Sequence, residues 1–213
     1  MSGNRVVSIV LTVVSLLVVS AVAQDEKNEL TGTIGRTFIS DQGIQGATFF
    51  DPIIHSGKGT SFEIGYARRL WVNPLFAISA EVPAMFNLDE DLNAGTFQHA
   101  VVPTDYKAFF VAPSARLNLF PSTAFSPWIS FGGGVAHFSQ GRQLDFGGTN
   151  PGKSTTSGVA QGGFGLDVRL LRGLGVRGEV RDFWSGEPDF PLAPTGKTRQ
   201  HNFYVAGGFV LRF

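Results

Sequence analysis

The stretch Phe76-Ala77-Ile78-Ser79-Ala80-Glu81-Val82-Pro83-Ala84-Met85-Phe86 decides how this chain is to be read. Successive side chains of an extended strand point to opposite faces, so Phe76, Ile78, Ala80, Val82, Ala84 and Phe86 share one face. Ala77, Ser79, Glu81, Pro83 and Met85 take the other. The end of the chain repeats the pattern, with Phe203, Val205, Gly207, Phe209, Leu211 and Phe213 set against Asn202, Tyr204, Ala206, Gly208, Val210 and Arg212. Working outward, the alternation predicts eight strands: Leu30 to Ile39, Thr60 to Leu70, Phe76 to Phe86, Tyr106 to Leu119, Trp128 to Phe138, Val159 to Leu170, Leu174 to Trp184 and Gln200 to Phe213. A 3.6-residue period is nowhere sustained over three turns, so the expected class is all-β.

The connections between these segments alternate in length. Ser40 to Lys58, Asn87 to Asp105, Ser139 to Ser157 and Ser185 to Arg199 are long, whereas Trp71 to Leu75, Pro121 to Pro127 and Leu171 to Gly173 are short. An even number of roughly ten-residue strands, with tight turns at one end and long loops at the other, is the pattern of an antiparallel up-and-down transmembrane β-barrel.

Composition agrees. The 213 residues include 20 Phe and 27 Gly, and only 16% are charged, against about 25% in an ordinary soluble domain. Lys+Arg and Asp+Glu stand at 17 each, without a basic stretch, so a nucleic-acid partner is not expected. Cys is absent, which excludes disulfides, thiolate metal sites and a cysteine nucleophile. Arg5, the apolar run Val6 to Val19 and Ala21-Val22-Ala23 ahead of Gln24-Asp25-Glu26-Lys27 read as an export signal cleaved after Ala23. The expected organisation is therefore a signal peptide over 1–23 and a barrel domain over 24–213.

The polar residues test the barrel. Glu63, Glu81, Arg116, Asp167, Arg169, Arg177, Glu179 and Arg181 lie on the less apolar face of their strands, which predicts a charge network in the lumen. An eight-stranded barrel is just wide enough to be filled by side chains, and buried charges there must be paired. Gly132, Gly133, Gly134, Gly163 and Gly165 leave room for long arginines and for strong curvature. Arg36, Arg68 and Asp182 fall on the apolar face near strand ends, where a side chain reaches the interface. Tyr66, Trp71, Phe86, Phe120, Trp128, Trp184 and Phe213 are the expected interfacial girdles.

On these features, on Arg177-Gly178-Glu179-Val180-Arg181-Asp182-Phe183 and on the ending Asn202 to Phe213, the chain resembles the small eight-stranded outer-membrane β-barrels of Gram-negative bacteria. The resemblance covers about Glu29 to Phe213 and implies an integral outer-membrane protein in contact with membrane lipid and lipopolysaccharide. It also implies that Phe209, Leu211 and the closing Phe213 form the signal read by the outer-membrane assembly machinery. Members of this family serve as anchors, adhesion and defence proteins, conduits and lipid A enzymes, so fold does not select the activity.

Three local patterns look like chemistry. Gly147-Gly148-Thr149-Asn150-Pro151-Gly152-Lys153-Ser154 matches the phosphate-loop spacing, but the motif needs a helix immediately after it, and Thr155 to Gly165 alternates like a strand. Asp89, Asp91 and Asn93 have calcium-loop spacing, but the required glycine is displaced to Gly95 and Ala100 replaces the bidentate Glu, so a solvated acidic loop is expected. His137 and Ser139 share one strand face, and the lipid A deacylases that resemble this barrel use a His-x-Ser pair with a Glu. Here Asp145 and Glu187 are the carboxylates within conceivable reach. His55, His99 and His201 are dispersed, and neither a metal nor a cofactor is expected. The function expected first is non-enzymatic: surface interaction or envelope integrity through four long extracellular loops, with an unidentified loop ligand. A lipid A hydrolase and a narrow solute conduit are the alternatives.

Overall fold

The computed structural model describes residues 26–43, 53–56, 58–93, 105–141, 144, 148–151, 154–187 and 199–213. The expected signal segment lies outside them. Eight strands form the wall: Asn28–Ile39, Lys58–Val72, Phe76–Asn93, an interrupted fourth made of Asp105–Val111 and Ser114–Leu119, then Phe125–Gln140, Thr155–Leu171, Leu174–Ser185 and Gln200–Arg212. Each is antiparallel to its neighbour in sequence, and the eighth returns to the first, from Glu29 opposite Arg212 to Ile39 opposite Asn202. Asn28 and Phe213 complete the closure by exchanging two backbone hydrogen bonds, of 2.8 and 2.9 Å. The wall is therefore a closed eight-stranded antiparallel barrel without an unpaired edge.

The tight turns are chemically specified. Asn73 Oδ1 accepts hydrogen bonds from the amides of Leu75 and Phe76 at 2.9 and 2.7 Å, fixing the first. The third is built on Gly173, whose φ of 76° is left-handed and suits a residue without Cβ.

Most strands run one to four residues beyond the sequence reading, Thr155–Leu171 against Val159 to Leu170 for example, and three larger differences stand out. The third strand continues through Leu88-Asp89-Glu90-Asp91-Leu92-Asn93, where a solvated loop is expected, because Asp105 and Tyr106 pair with Asp91 and Glu90. A short ladder, Gln42–Gly43 with Ile53–Ser56, adds on through His55 opposite Asn93. The calcium-like trio thus lies along an extended strand and not on a chelating turn. The fourth strand breaks at Ala112-Pro113, since Pro113 has no amide to donate. There the Ala112 amide donates to the Pro83 carbonyl at 3.3 Å, and the Gly133 amide to the Pro113 carbonyl at 3.1 Å. Added Cβ atoms at Gly132 and Gly134 would strike the backbone of Val111 to Ser114, so these glycines let the broken strand press inward.

Burial is inverted relative to a soluble protein. Ile34, Ile64, Phe131, Phe164 and Phe209 stand on the outer wall, with Phe131 67% exposed, while Glu29, Glu63, Arg116 and Arg181 are buried. A continuous belt of such residues is stable only against lipid. At the turn end it is rimmed by Trp71, Phe120 and Phe125. At the loop end, Phe62, Phe86 and Phe109 stack in a row, with ring centroids 4.8 and 4.6 Å apart.

Since every wall strand is hydrogen-bonded on both sides, cold detergent should leave the barrel closed. Unheated and boiled samples are expected to migrate differently on a denaturing gel, with β-type circular dichroism before heating. A single mobility with a helical spectrum would refute the architecture.

Candidate functional site

The lumen has two chemically distinct halves. Towards the turn end, five carboxylates (Glu29, Glu63, Glu81, Asp167 and Glu179) meet five guanidiniums (Arg69, Arg116, Arg177, Arg181 and Arg212). Glu29 is the hub. It pairs with Arg116, with Arg69 at 3.0 Å, with Arg212 at 3.4 Å and with Arg177 at 3.5 Å. Asp167 accepts from Arg177 at 2.7 and 2.9 Å and from Arg212 at 2.6 Å. Arg181 sits among three acids, 2.9 Å from Glu81, 3.1 Å from Glu179 and 3.2 Å from Glu63.

One indole organises this half. Trp128 is 2% exposed and donates from Nε1 to Asp167 at 3.2 Å. The guanidinium carbons of Arg177, Arg181 and Arg116 lie 4.9, 5.0 and 5.8 Å from its ring centre. This corrects the girdle assignment: Trp128 faces the lumen beside Ser126 and Ser130, where its ring face receives three cations. Gly165 makes the space, for a Cβ there would lie 2.6 Å from the indole, and one at Gly163 would press within 3.1 Å of Arg181 Cγ.

Seven of the eight residues expected in the network are brought together. Arg169 is the exception. It lies at the turn end, a third exposed, 3.5 Å from Glu26 and donating to the Pro121 carbonyl at 3.1 Å. Glu29, Arg69 and Arg212, which sequence reading left out, complete the set.

Towards the long loops the charges give way to an aromatic plug beside neutral polar residues such as Thr37, Ser61 and Asn202. Phe110, Phe138, Phe183, Met85 and Ala136 are fully buried. Phe110 meets Phe138 edge-on at 5.7 Å and Phe183 at 5.1 Å. Tyr204 joins the halves: its ring belongs to this plug, while its hydroxyl bonds Thr33 at 2.9 Å, and Thr33 donates to Glu179 at 2.8 Å. Thr31, Glu63, Glu81, Arg116, Arg177 and Arg181 border one narrow crevice in the charged half.

No family model matches the sequence, and no curated protein matches it. Among solved structures, Neisserial surface protein A superposes with a TM-score of 0.54 at 14% identity, covering 87% of this chain and 97% of its own. OprG from Pseudomonas aeruginosa gives 0.48 at 13% identity over 88% and 95%, and AlkL in lipid bilayers 0.45 at 13% over 90% and 92%. The fold is that of the small eight-stranded outer-membrane β-barrels.

On the wall of this outer-membrane-type barrel, His137 and Ser139 are both exposed on the outer face of the fifth strand. His137 Nδ1 is 2.8 Å from Thr156 Oγ1, a hydroxyl where a triad needs a carboxylate. Asp145 lies outside the described residues. A His–carboxylate pair does occur elsewhere: His201 Nδ1 is 2.7 Å from Asp182 Oδ2. The neighbouring Ser40 Oγ accepts from the His201 backbone amide at 3.4 Å, not from the ring. The phosphate-loop lookalike is only partly described, but Thr155–Leu171 follows it as a strand, so the helix that chemistry requires is absent there. Among the described residues no His, Asp and Glu cluster could hold a metal.

Replacing the hub acid, Glu29→Gln, leaves four guanidiniums facing one fewer charge and is expected to cost about 3 to 5 kcal/mol. The double variant Glu29→Gln, Arg212→Gln should recover part of that loss. Urea unfolding in detergent micelles measures both, and strictly additive losses would show that the pair is not coupled.

Proposed function

We propose that this protein is an integral outer-membrane barrel that works through its long-loop end and outer wall, for surface interaction or envelope integrity, without transporting solutes through its lumen. The observation that carries this reading is the filled interior. A water path would have to pass both the charge network and the Phe110, Phe138 and Phe183 plug. The hydrolase alternative is weaker, because the hydrogen-bond partner of His137 is Thr156.

Planar-bilayer recording is expected to give no stable conductance for the wild type. A steady ohmic current would overturn the closed-lumen reading. The surface role is tested by shortening residues 94–104 and 188–198 to tight turns. A variant that keeps the heat-modifiable barrel but no longer complements the envelope phenotype of a deletion strain supports the proposal, and full complementation refutes it.

Phe209, Leu211 and Phe213, which share the outward parity of the seam strand, are the proposed recognition element for the assembly machinery. Phe213→Ala removes at most about 1.5 to 3 kcal/mol of burial, too little to unfold a barrel whose strands are all paired. Insertion in cells should therefore fall while refolding into detergent stays near normal. Equal outer-membrane insertion at matched low expression would remove the recognition role.

A further inference from the structure

Charge on the outer wall is sorted by sign. Five acids are turned into the lumen, and among outward strand residues whose side chains are described, Asp182 is the one acid. Arg36, Arg68 and Lys107, by contrast, stand exposed on the outer face of their strands. The Arg36 side chain has no hydrogen bond or ion pair among the described residues and rises between Ile34 and Phe38, so its charge is open to a partner from outside the chain.

The surroundings of Arg36 at the seam are specific. On the first strand, Arg36 lies opposite Val205 and Phe38 opposite Phe203. His201 follows two residues further towards the loop end, its ring stacked at 5.7 Å on Phe203 and 6.1 Å from Trp184. Arg199 covers the other part of Trp184, its guanidinium carbon 4.6 Å from the ring centre. The Asp182 bond ties down His201 Nδ1, which leaves Nε2 directed elsewhere. A shelf of stacked rings, Phe203, His201 and Trp184, thus lies between a lower cation, Arg36, and an upper one, Arg199. Four residues separate the levels of Val205 and His201, about 13 Å along the strand.

We propose that this outer-wall seam binds the headgroup of a phosphorylated glycolipid in the long-loop leaflet. Phosphates bind Arg36 at one end and Arg199 at the other, and the sugar lies over Phe203, His201 and Trp184. The separation favours a headgroup about a disaccharide wide with a phosphate at each end over the single compact phosphate of a glycerophospholipid. Aromatic faces flanked by cations suit a sugar ring carrying phosphates, since the ring faces pack against the sugar C–H groups while guanidinium forks take the phosphate oxygens. The inference rests on the outer-membrane reading above and names the lipid that this wall takes.

The test uses the full mature chain refolded into phosphatidylcholine nanodiscs, with retained lipid measured by native mass spectrometry. Diphosphoryl lipid A, monophosphoryl lipid A and phosphatidic acid are the probes. Diphosphoryl lipid A should be retained over the other two. The double variant Arg36→Gln, Arg199→Gln should lose about thirtyfold in that retention, and each single variant about fivefold. Arg68→Gln, the same charge change at the opposite rim, should leave it within about twofold. Equal retention of phosphatidic acid, or an equal loss in Arg68→Gln, would overturn the site and leave only diffuse electrostatics. Folding of every variant is read from heat-modifiable mobility. A chain that never enters the nanodisc contradicts the membrane reading, whereas one that enters without lipid preference contradicts this site alone.

Discussion

Ten acidic and basic side chains sealed inside a closed sheet cannot borrow solvation from bulk water, so their mutual compensation is the constraint around which the rest of the barrel is built. A single guanidinium left unpaired in such a place costs several kcal/mol, and that penalty falls only when each charge has several partners. Glu29 reaches four arginines and Arg181 three acids, which spreads the compensation over many contacts. Bulk has to be found for these groups inside a narrow wall. The glycines at 163 and 165 provide it, and the inward press of the broken fourth strand against Gly132 and Gly134 narrows the lumen around what remains.

Two kinds of filling are then needed, because the network ends where its carboxylates end. Beyond Glu179 the inward positions pass through Thr33 and Tyr204 to Phe110, Phe138 and Phe183. An aromatic plug needs no counter-charge, and it shields the network from water at the long-loop end. On the function proposed above, a lumen filled this way serves rigidity, and the variation available to function lies in the loops and the outer wall.

Alternation of residue type made the architecture legible, since Phe76 to Phe86 and Asn202 to Phe213 state their faces without ambiguity. The same parity already placed Glu29 with Thr31 and Thr33, and Arg212 with Tyr204 and Val210. A charge at a strand end can equally snorkel to the interface, so parity alone does not carry these two into the network. Trp128, near a strand end, reads as an interfacial aromatic, although Ser126 and Ser130 on its face mark it as inward. Arg169 has inward parity too, but sits one step too near the turn, where Glu26 and the Pro121 carbonyl reach it first. What parity could not reveal was the extension to Asn93. An acidic run favours a loop locally, and only pairing with Asp105, Tyr106 and His55 makes it a strand.

The sorting of acids inward and bases outward follows from the same physics that organises the lumen. A carboxylate on a short stem near a lipid headgroup meets phosphates of its own sign and has nowhere to go, whereas an arginine can lay its methylenes on the apolar belt and lift its charge into the phosphate layer. An outward acid is therefore tolerated when a side chain of the chain itself holds it, as the His201 ring holds Asp182 at 2.7 Å. An outward base needs no such partner, because the membrane supplies one. Arg36 and Arg68 stand at opposite ends of the wall on those terms, but only Arg36 has aromatic rings and a second cation beyond it. That difference separates a residue that merely tolerates the interface from one that selects what lies in it.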